Sequence, residues 1–412
     1  MKIILIVIDG LGDETIPELG NQTPLEAAKT PNLDWLAARG VCGLTKPVFY
    51  GAIPTSEEGH FALFGYDPKA YQLKRGILTA LGAGMEVEKG DIALRGNFAT
   101  VNDAEEIIDR RAGRISDTEP LISSLNGSEI KGIKFFLKNA GEYRLAIMMR
   151  GRGLSANISD GDPHYGKLGI RVAKIEPLDK SEAAIFTAKI LNEFLEKSHL
   201  ILSKHPLNKK REELGLLPAN YILTRGVSAA LKIPSFKERY GLTAACIAGK
   251  LLYRQIGEIL GMDLINVKGA NGLINTNLKG KIKAAKDALK KYDFVFLHIK
   301  ATDSLAEDGK FNEKKKFIEK IDKNLTPLIN VKNTLMVITS DHSTCSLLKR
   351  HCDRPCPVLI SLPRLAKKKR KPSVVKTKKG KEKFSEKSCQ KGELGVFRQT
   401  ELMPKILRLA QP

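Results

Sequence analysis

Apolar residues fall into two textures along this chain. Unbroken runs rich in β-branched side chains occur at Ile3 to Ile8, within DFVFLHIKATD (293–303) and within TLMVITSDHS (334–343). Such runs are too short to span a membrane, and they predict strands buried on both faces of a sheet. Between them apolar positions recur every three or four residues. That spacing predicts helices over TAACIAGKLLYRQIGEILGM (243–262), KGKIKAAKDALKKY (279–292) and KKKFIEKIDKNLTPLI (314–329), and DLINVKGANG reads as a strand ending near Lys268. Near the start, Thr23 and Thr30 each precede a proline, the pattern of a helix N-cap followed by proline at the first helical position. The second of these helices carries Leu33, Leu36 and Ala37 inward, takes Trp35 as core filler and is expected to end at Gly40. From about Gly90 to Arg225 the texture changes to short strand-like runs (IALRGNFATV, YRLAIMMRG, GIRVAKIEPL) with one long amphipathic helix at 180–202. The alternation predicts a discontinuous α/β domain, residues 1–90 and 231–412, with an α+β domain inserted at 91–230.

The ends of the buried runs carry the chemistry. Asp9, Asp303 and Asp341 each follow one of them, and in open α/β sheets ligands collect at the carboxyl ends of strands. Together with Glu307, His342 and His351, they make a set of oxygen and imidazole groups suited to divalent ions. Ser56 opens an expected helix, Glu57 to Gly65, with two acids behind it. Its hydroxyl has two readings: a helix N-cap, or a nucleophile at the positive end of a helix. No histidine is spaced to serve as its base, so the second reading requires a metal to activate it. In the inserted stretch, polar residues cluster at Asp109, Arg110, Arg111 and Arg114, at Arg150 and Arg152, through the loop GRGLSANISDGDPH, and at Arg225. Arginine forks are the usual means of holding carboxylate and phosphate.

Composition changes this picture little. The net charge of +22 suggests a nucleic-acid binder, but residues 367–383 alone contribute +9 and carry no interleaved aromatics. A solvated basic loop is expected, with no nucleic-acid or membrane partner. The six cysteines lack paired spacing, which points to a reducing compartment. The segment HCDRPC (351–356) could pass for half a zinc site, but no matching second half exists. The chain starts directly in a strand, and a cytoplasmic protein is the expectation.

Six motifs in order, IVIDGLGD, PTSEEGHFALFGYDP, DRRAGRI, RGLSANISDGDPH, HIKATD and SDHSTCSLLKRHCDRPCPVLI, resemble those of the archaeal-type cofactor-independent phosphoglycerate mutases of the alkaline phosphatase superfamily, and the likeness continues through GELGVFRQTELMPKILRLA. The resemblance implies an alkaline-phosphatase-like, mostly parallel sheet with helices on both faces, plus the smaller inserted α+β domain. It implies interconversion of 3- and 2-phosphoglycerate through a phosphoserine on Ser56, with two divalent ions (Mn2+ or Mg2+, alternatively Zn2+ or Co2+) and no 2,3-bisphosphoglycerate. One ion would be held by Asp9, Ser56, Asp341 and His342, and the other by Asp303 and His351. Where the family carries a histidine ligand after HIKATD, this chain has Glu307, a departure expected to favour Mg or Mn over Zn. The inserted domain would close over the small phosphorylated substrate, with Arg110, Arg111, Arg150 and Arg225 on its carboxylate, His164 as a further contact and Asp109 as acid/base. Lys268 and Lys300 would neutralise phosphate. A phosphatase, a mutase of another phosphorylated metabolite and a weakened homologue stay open as alternatives, as does the oligomeric state.

Overall fold

A computed structural model describes residues 1–46, 53, 55–71, 75–163, 168–229, 233–329, 331–361 and 383–410. They form two compact units, Met1–Ala70 with Pro234–Pro412, and Tyr71–Ile233. The strands, numbered along the chain, are β1 (Lys2–Ile8), β2 (Gly40–Lys46), β3 (Ile92–Val101), β4 (Ile107–Asp109), β5 (Glu129–Ile130), β6 (Ile133–Asn139), β7 (Arg144–Arg150), β8 (Tyr221–Ala229), β9 (Ala244–Ile247), β10 (Asp263–Leu264), β11 (Phe294–Ile299), β12 (Thr334–Thr339), β13 (Ser343–Cys345), β14 (Arg350–Cys352), β15 (Cys356–Ser361) and β16 (Gly395–Arg398).

In the first unit one sheet runs β10-β9-β11-β1-β12-β15-β2-β16. Its pairings are parallel except for β12 with β15 and β15 with β2. The run at Ile3 to Ile8 forms β1, bonded on one edge to β11 and on the other to β12. All three strands expected to carry carboxylates are therefore neighbours. Ile4, Ile6 and Ile8 of β1 join Leu33, Leu36, Ile282 and Phe317 in one core, while across the sheet Phe64 packs edge-on against Phe236, Phe294 and Phe296. Helices thus cover both faces. Each fully buried aliphatic side chain contributes about 1.5–3 kcal/mol, so this strand anchors the unit.

Several expectations are corrected. The stretch 243–262 is not one helix: Ala244–Ile247 is strand β9, and the helix is Leu251–Ile259. A short apolar run reads alike in either state, and here the parallel edge of β11 offers it ladder partners. The strand expected to end near Lys268 stops at Leu264. Gly40 is not a helix stop but the first residue of β2, where a Cβ would lie 2.3 Å from the Ile360 carbonyl oxygen. Thr23 caps its helix with Glu26 as foreseen, whereas Thr30 makes no side-chain cap.

The inserted unit holds an antiparallel sheet in the order β4-β3-β7-β6-β5, with β8 also paired to β3. Helices Glu119–Leu125 and Glu182–Ser203 cover one face, burying Ile92, Leu94 and Phe98 with Phe194. The stretch GIRVAKIEPL forms no strand; its only β-pairings among the described residues are two isolated bridges, Arg171 to Glu106 and Pro177 to Ile158. The first junction falls at residue 71, not 91, because the helix Arg75–Gly82 packs on β3, β7 and β8. The basic segment lies outside the described residues up to 382.

Candidate metal centre

Parallel pairing of β1 with β11 and β12 aligns the ends of these strands, and the loops beyond them bring the acids together. Asp9 follows β1 directly, and Asp341 and His342 follow β12. Asp303 is not at a strand end. It lies in the first turn of the helix Ala301–Glu307, which starts two residues after β11. Asp9, Asp341 and His342 form one group whose ligand atoms lie within 4.8 Å of one another, and Asp303, His342 and His351 form a second. His342 belongs to both: its Nε2 lies 3.4 Å from Asp9 Oδ1 and 3.2 Å from Asp341 Oδ2, and its Nδ1 lies 4.0 Å from Asp303 Oδ1. His351 stacks on it with ring centroids 3.6 Å apart and sets its Nε2 3.5 Å from Asp303 Oδ1. Glu307 Oε1 reaches within 3.8 Å of the same nitrogen from a half-exposed position.

Ser56 meets the first group. The helix Ser56–Leu63 is capped by Thr55, which accepts from Glu58 N–H while the Glu58 carboxylate accepts from Thr55 N–H. Ser56 is therefore the first helical residue and not the cap. Freed from capping, its hydroxyl lies 3.3 Å from His342 Nε2. Gly59 permits this approach, since a Cβ there would lie 2.6 Å from the Asp341 carbonyl oxygen.

The electrostatics suit a cation. Asp9 Oδ1 and both carboxylate oxygens of Asp341 are buried without hydrogen-bond partners among the described residues. Buried carboxylate oxygens left so are costly unless something positive meets them. Lys300 supplies part of the balance, its Nζ 3.3 Å from Asp9 Oδ2 and 2.6 Å from Asp303 Oδ2. Burial alone would raise the Asp9 carboxyl, but Lys300, His298 and His342 hold it well below the usual range. Asp341 is likewise lowered: burial and Asp9 oppose its ionisation, and His342 and His60 outweigh them. Glu307 is shifted the other way, by burial and by Asp303. The mixed carboxylate, hydroxyl and imidazole donors match divalent ions of the Mg, Mn and Zn group.

Behind these groups lie residues that the sequence patterns did not mark. Tyr253 donates to Asp9 Oδ2 at 2.6 Å, and His298 Nε2 lies 3.0 Å from the same oxygen. His60 holds the Ser56 carbonyl oxygen at 2.7 Å and lies 3.3 Å from Asp341 Oδ2. Burial pushes His298 down to about 3, so it is neutral. Thr344 donates to Asp303 Oδ1. A histidine inside the apolar run of β11, and another four residues after Ser56, were the available signals. Cys345 and Cys352 are joined by a disulfide across β13 and β14, beside His351. That pairing overturns the expectation of unpaired cysteines, and it takes up Cys352 of the segment 351–356, where no zinc site was expected.

Of the other predicted residues, Lys268 belongs to the first unit, His164 lies outside the described residues and the rest belong to the inserted unit. Lys268 is exposed on the turn after β10 and lines a surface pocket of ≈ 580 Å³ with Tyr292 and Asp287. In the inserted unit, Asp109 Oδ1 accepts from Arg111 N–H at 2.6 Å, and Arg110 pairs with the buried Asp162. Arg225 is 7% exposed on β8. The Arg150 guanidinium is taken up by both oxygens of Asp91, by Glu88 and by the Glu86 carbonyl. His164 lies outside the described residues.

Residues 1–408 match the family model of the metalloenzyme superfamily. A 2,3-bisphosphoglycerate-independent phosphoglycerate mutase of Methanocaldococcus jannaschii is 41% identical over 99% of this chain and 97% of its own. One from Archaeoglobus fulgidus is 44% identical over 87% and 88%. Among solved structures, the cofactor-independent phosphoglycerate mutase of Thermoplasma acidophilum superposes with a TM-score of 0.75 at 35% identity, covering 100% of both chains. A Pyrococcus horikoshii protein gives 0.77 at 32%, covering 99% of this chain and 97% of that one.

Proposed function

Since the chain belongs to the metalloenzyme superfamily and, within it, to the 2,3-bisphosphoglycerate-independent phosphoglycerate mutases, we propose that it interconverts 3- and 2-phosphoglycerate through a phosphoserine on Ser56 at a two-ion site. The enzyme class follows from the family; the residue roles are our reading. The observation that carries it is the convergence of Ser56 with Asp9, Asp341 and His342, in which three carboxylate oxygens are buried without hydrogen-bond partners among the described residues. Asp9, Ser56, Asp341 and His342 would hold one divalent ion, and Asp303, His351 and Glu307 the other. Bound there, such ions lower the pKa of a coordinated hydroxyl and neutralise phosphate charge.

The chain's own groups then divide the work. Ser56 Oγ gives up its proton and forms a bond to phosphorus as the bond to the substrate's 3-oxygen breaks, and that oxygen takes up a proton. The resulting glycerate turns in place. Its 2-hydroxyl loses a proton and attacks the phosphoserine, the serine P–O bond breaks, and the released Ser56 oxygen takes a proton back. Asp109 is our candidate proton carrier. Lys300 offsets the charge of phosphate and carboxylates, and Tyr253, His298 and His60 fix the ligand carboxylates as partners behind metal ligands do. Recognition of the substrate carboxylate falls to Arg110, Arg111 and Arg225. Lys268 and His164 are kept as further contacts to be tested by substitution. The pathway is glycolytic, and among the described residues no helix is long and apolar enough to cross a membrane; a cytoplasmic location is part of the same proposal.

A product assay with Mn2+ tests this. Formation of 2-phosphoglycerate without stoichiometric free phosphate, and its loss in Ser56→Ala, supports the reading. Free phosphate appearing faster than 2-phosphoglycerate would make the protein a phosphatase.

A further inference from the structure

One face of the inserted sheet is apolar and packed beneath its helices, with Leu94, Gly96 and Phe98 of β3 pointing into it. Side chains alternate along a strand, so Arg95 and Asn97 point to the other face. There Arg95 stands directly opposite Arg225 on β8, and Asn97 directly opposite Arg144 on β7. Like charges facing each other across strands destabilise a sheet, and burying them adds desolvation. Here Arg225 is buried, at 7% exposed, as is Asn97, at 6%, and Arg95 is half-buried. The ladder shifts register just past Arg225, where Gly226 takes a positive φ of 68° and donates its N–H to Asp160. Bulges of this kind re-aim side chains beside functional sites.

On this face Arg95 Nε and Asn97 Oδ1 are buried and have no hydrogen-bond partner among the described residues. Burial and the charges of Arg225, Arg75 and Arg144 push the Arg95 guanidinium down to about 10, so it stays cationic at neutral pH. A half-buried donor fork with its Nε unpartnered, beside a buried acceptor, suits a ligand with an oxyanion next to a hydroxyl. The fork matches a planar carboxylate bidentately, and Asn97 Oδ1 can accept from the neighbouring O–H.

We propose that Arg95 and Asn97, flanked by Arg225 and Arg144, form a recognition site for a 2-hydroxycarboxylate group. The reading of the reaction given above makes that group the carboxylate end of the phosphoglycerate, and in that respect the site rests on it. Arg95 then selects substrates bearing a carboxylate beside the carbon that gains or loses phosphate, and it discriminates against phosphorylated alcohols that lack one.

The test uses the full-length, Mn2+-loaded protein and D-glycerate, which carries the hydroxycarboxylate and no phosphate. Calorimetric titration is expected to show glycerate binding that weakens at least tenfold in both Arg95→Gln and Asn97→Ala, with Mn2+ uptake unchanged. Arg95→Lys keeps the charge without the fork and is expected to fall between. In turnover, KM for 3-phosphoglycerate is expected to rise more than kcat falls. If Arg95→Gln fails to fold, Asn97→Ala and Arg95→Lys carry the test. Wild-type affinity for glycerate in the folded variants, or no glycerate binding by the wild type, overturns the proposal. Glycerate binding lost in the variants of a wild type that forms no 2-phosphoglycerate would uphold the site and reject the mutase reading.

Discussion

Ser56 shows how one residue's role turns on its neighbour. Because Thr55 takes the cap, the Ser56 hydroxyl is left to face His342 and the buried acids. Ser56→Ala is expected to lower turnover by at least a thousandfold, of order 4 kcal/mol of barrier, while leaving the unfolding midpoint within a few degrees; coupled assay and calorimetry check both. Glu307 faces His351 from a half-exposed position beside Asp303. Replacing it by His adds a third imidazole near Asp303, beside His342 and His351, and Glu307→His is expected to shift selectivity from Mn2+ and Mg2+ toward Zn2+ and Co2+, read by competitive metal titration. Glu386 gives a pH effect. It accepts from Thr23, and burial pushes its carboxyl up to about 7. A carboxyl raised in the fold destabilises it only when ionised. The penalty is absent below the unfolded value, grows as pH rises toward 7 and is complete above it. Glu386→Gln is therefore expected to stabilise by about 1–3 kcal/mol at pH 8 and hardly at all at pH 4, by denaturant titration at each pH.

Two close approaches between elements decide the site. The helix that carries Ser56 meets the Asp341 loop at Gly59, where no Cβ fits. Gly59→Ala is expected to push the hydroxyl away from the carboxylates and lower kcat more than tenfold while the protein still folds. On the other side, helix Phe311–Asn324 supplies the buried Lys314. Its ammonium binds Asp13 Oδ2 at 2.8 Å and the Gly12 and Thr344 carbonyl oxygens. This pair ties the loop after β1 to the β13 segment, which Ser346 also joins through Asp13. Lys314→Met removes one partner of a buried pair and is expected to cost about 3–5 kcal/mol in chemical denaturation. Neither approach shows in the local sequence. A glycine in a helix and a lysine in a basic amphipathic helix both read as ordinary surface features until the partner element is placed.

For the whole molecule, the first unit concentrates Asp9, Asp303 and Asp341 around one lysine, so bound cations and stability are linked. Chelation is expected to lower the melting temperature, and Mn2+ at a hundred times its dissociation constant to restore about 2.7 kcal/mol, measured by thermal unfolding. The sequence by itself determined the buried strands, their order of carboxylates, the inserted unit and the family, because apolar runs and motif order are local properties of the chain. It also held Asp9, Ser56, Asp303, Asp341, His342 and His351 as a set. Only the tertiary structure decided that His342 is shared between the two groups, that Tyr253, His298 and His60 stand behind the acids, that Arg150 clamps Asp91, and that Arg95 faces Arg225. Those facts depend on strand register, on the direction of side chains and on contacts between residues up to hundreds of positions apart. Hydrophobic patterning fixes which face of an element is buried, but the partner across from each polar atom is set when the elements pack.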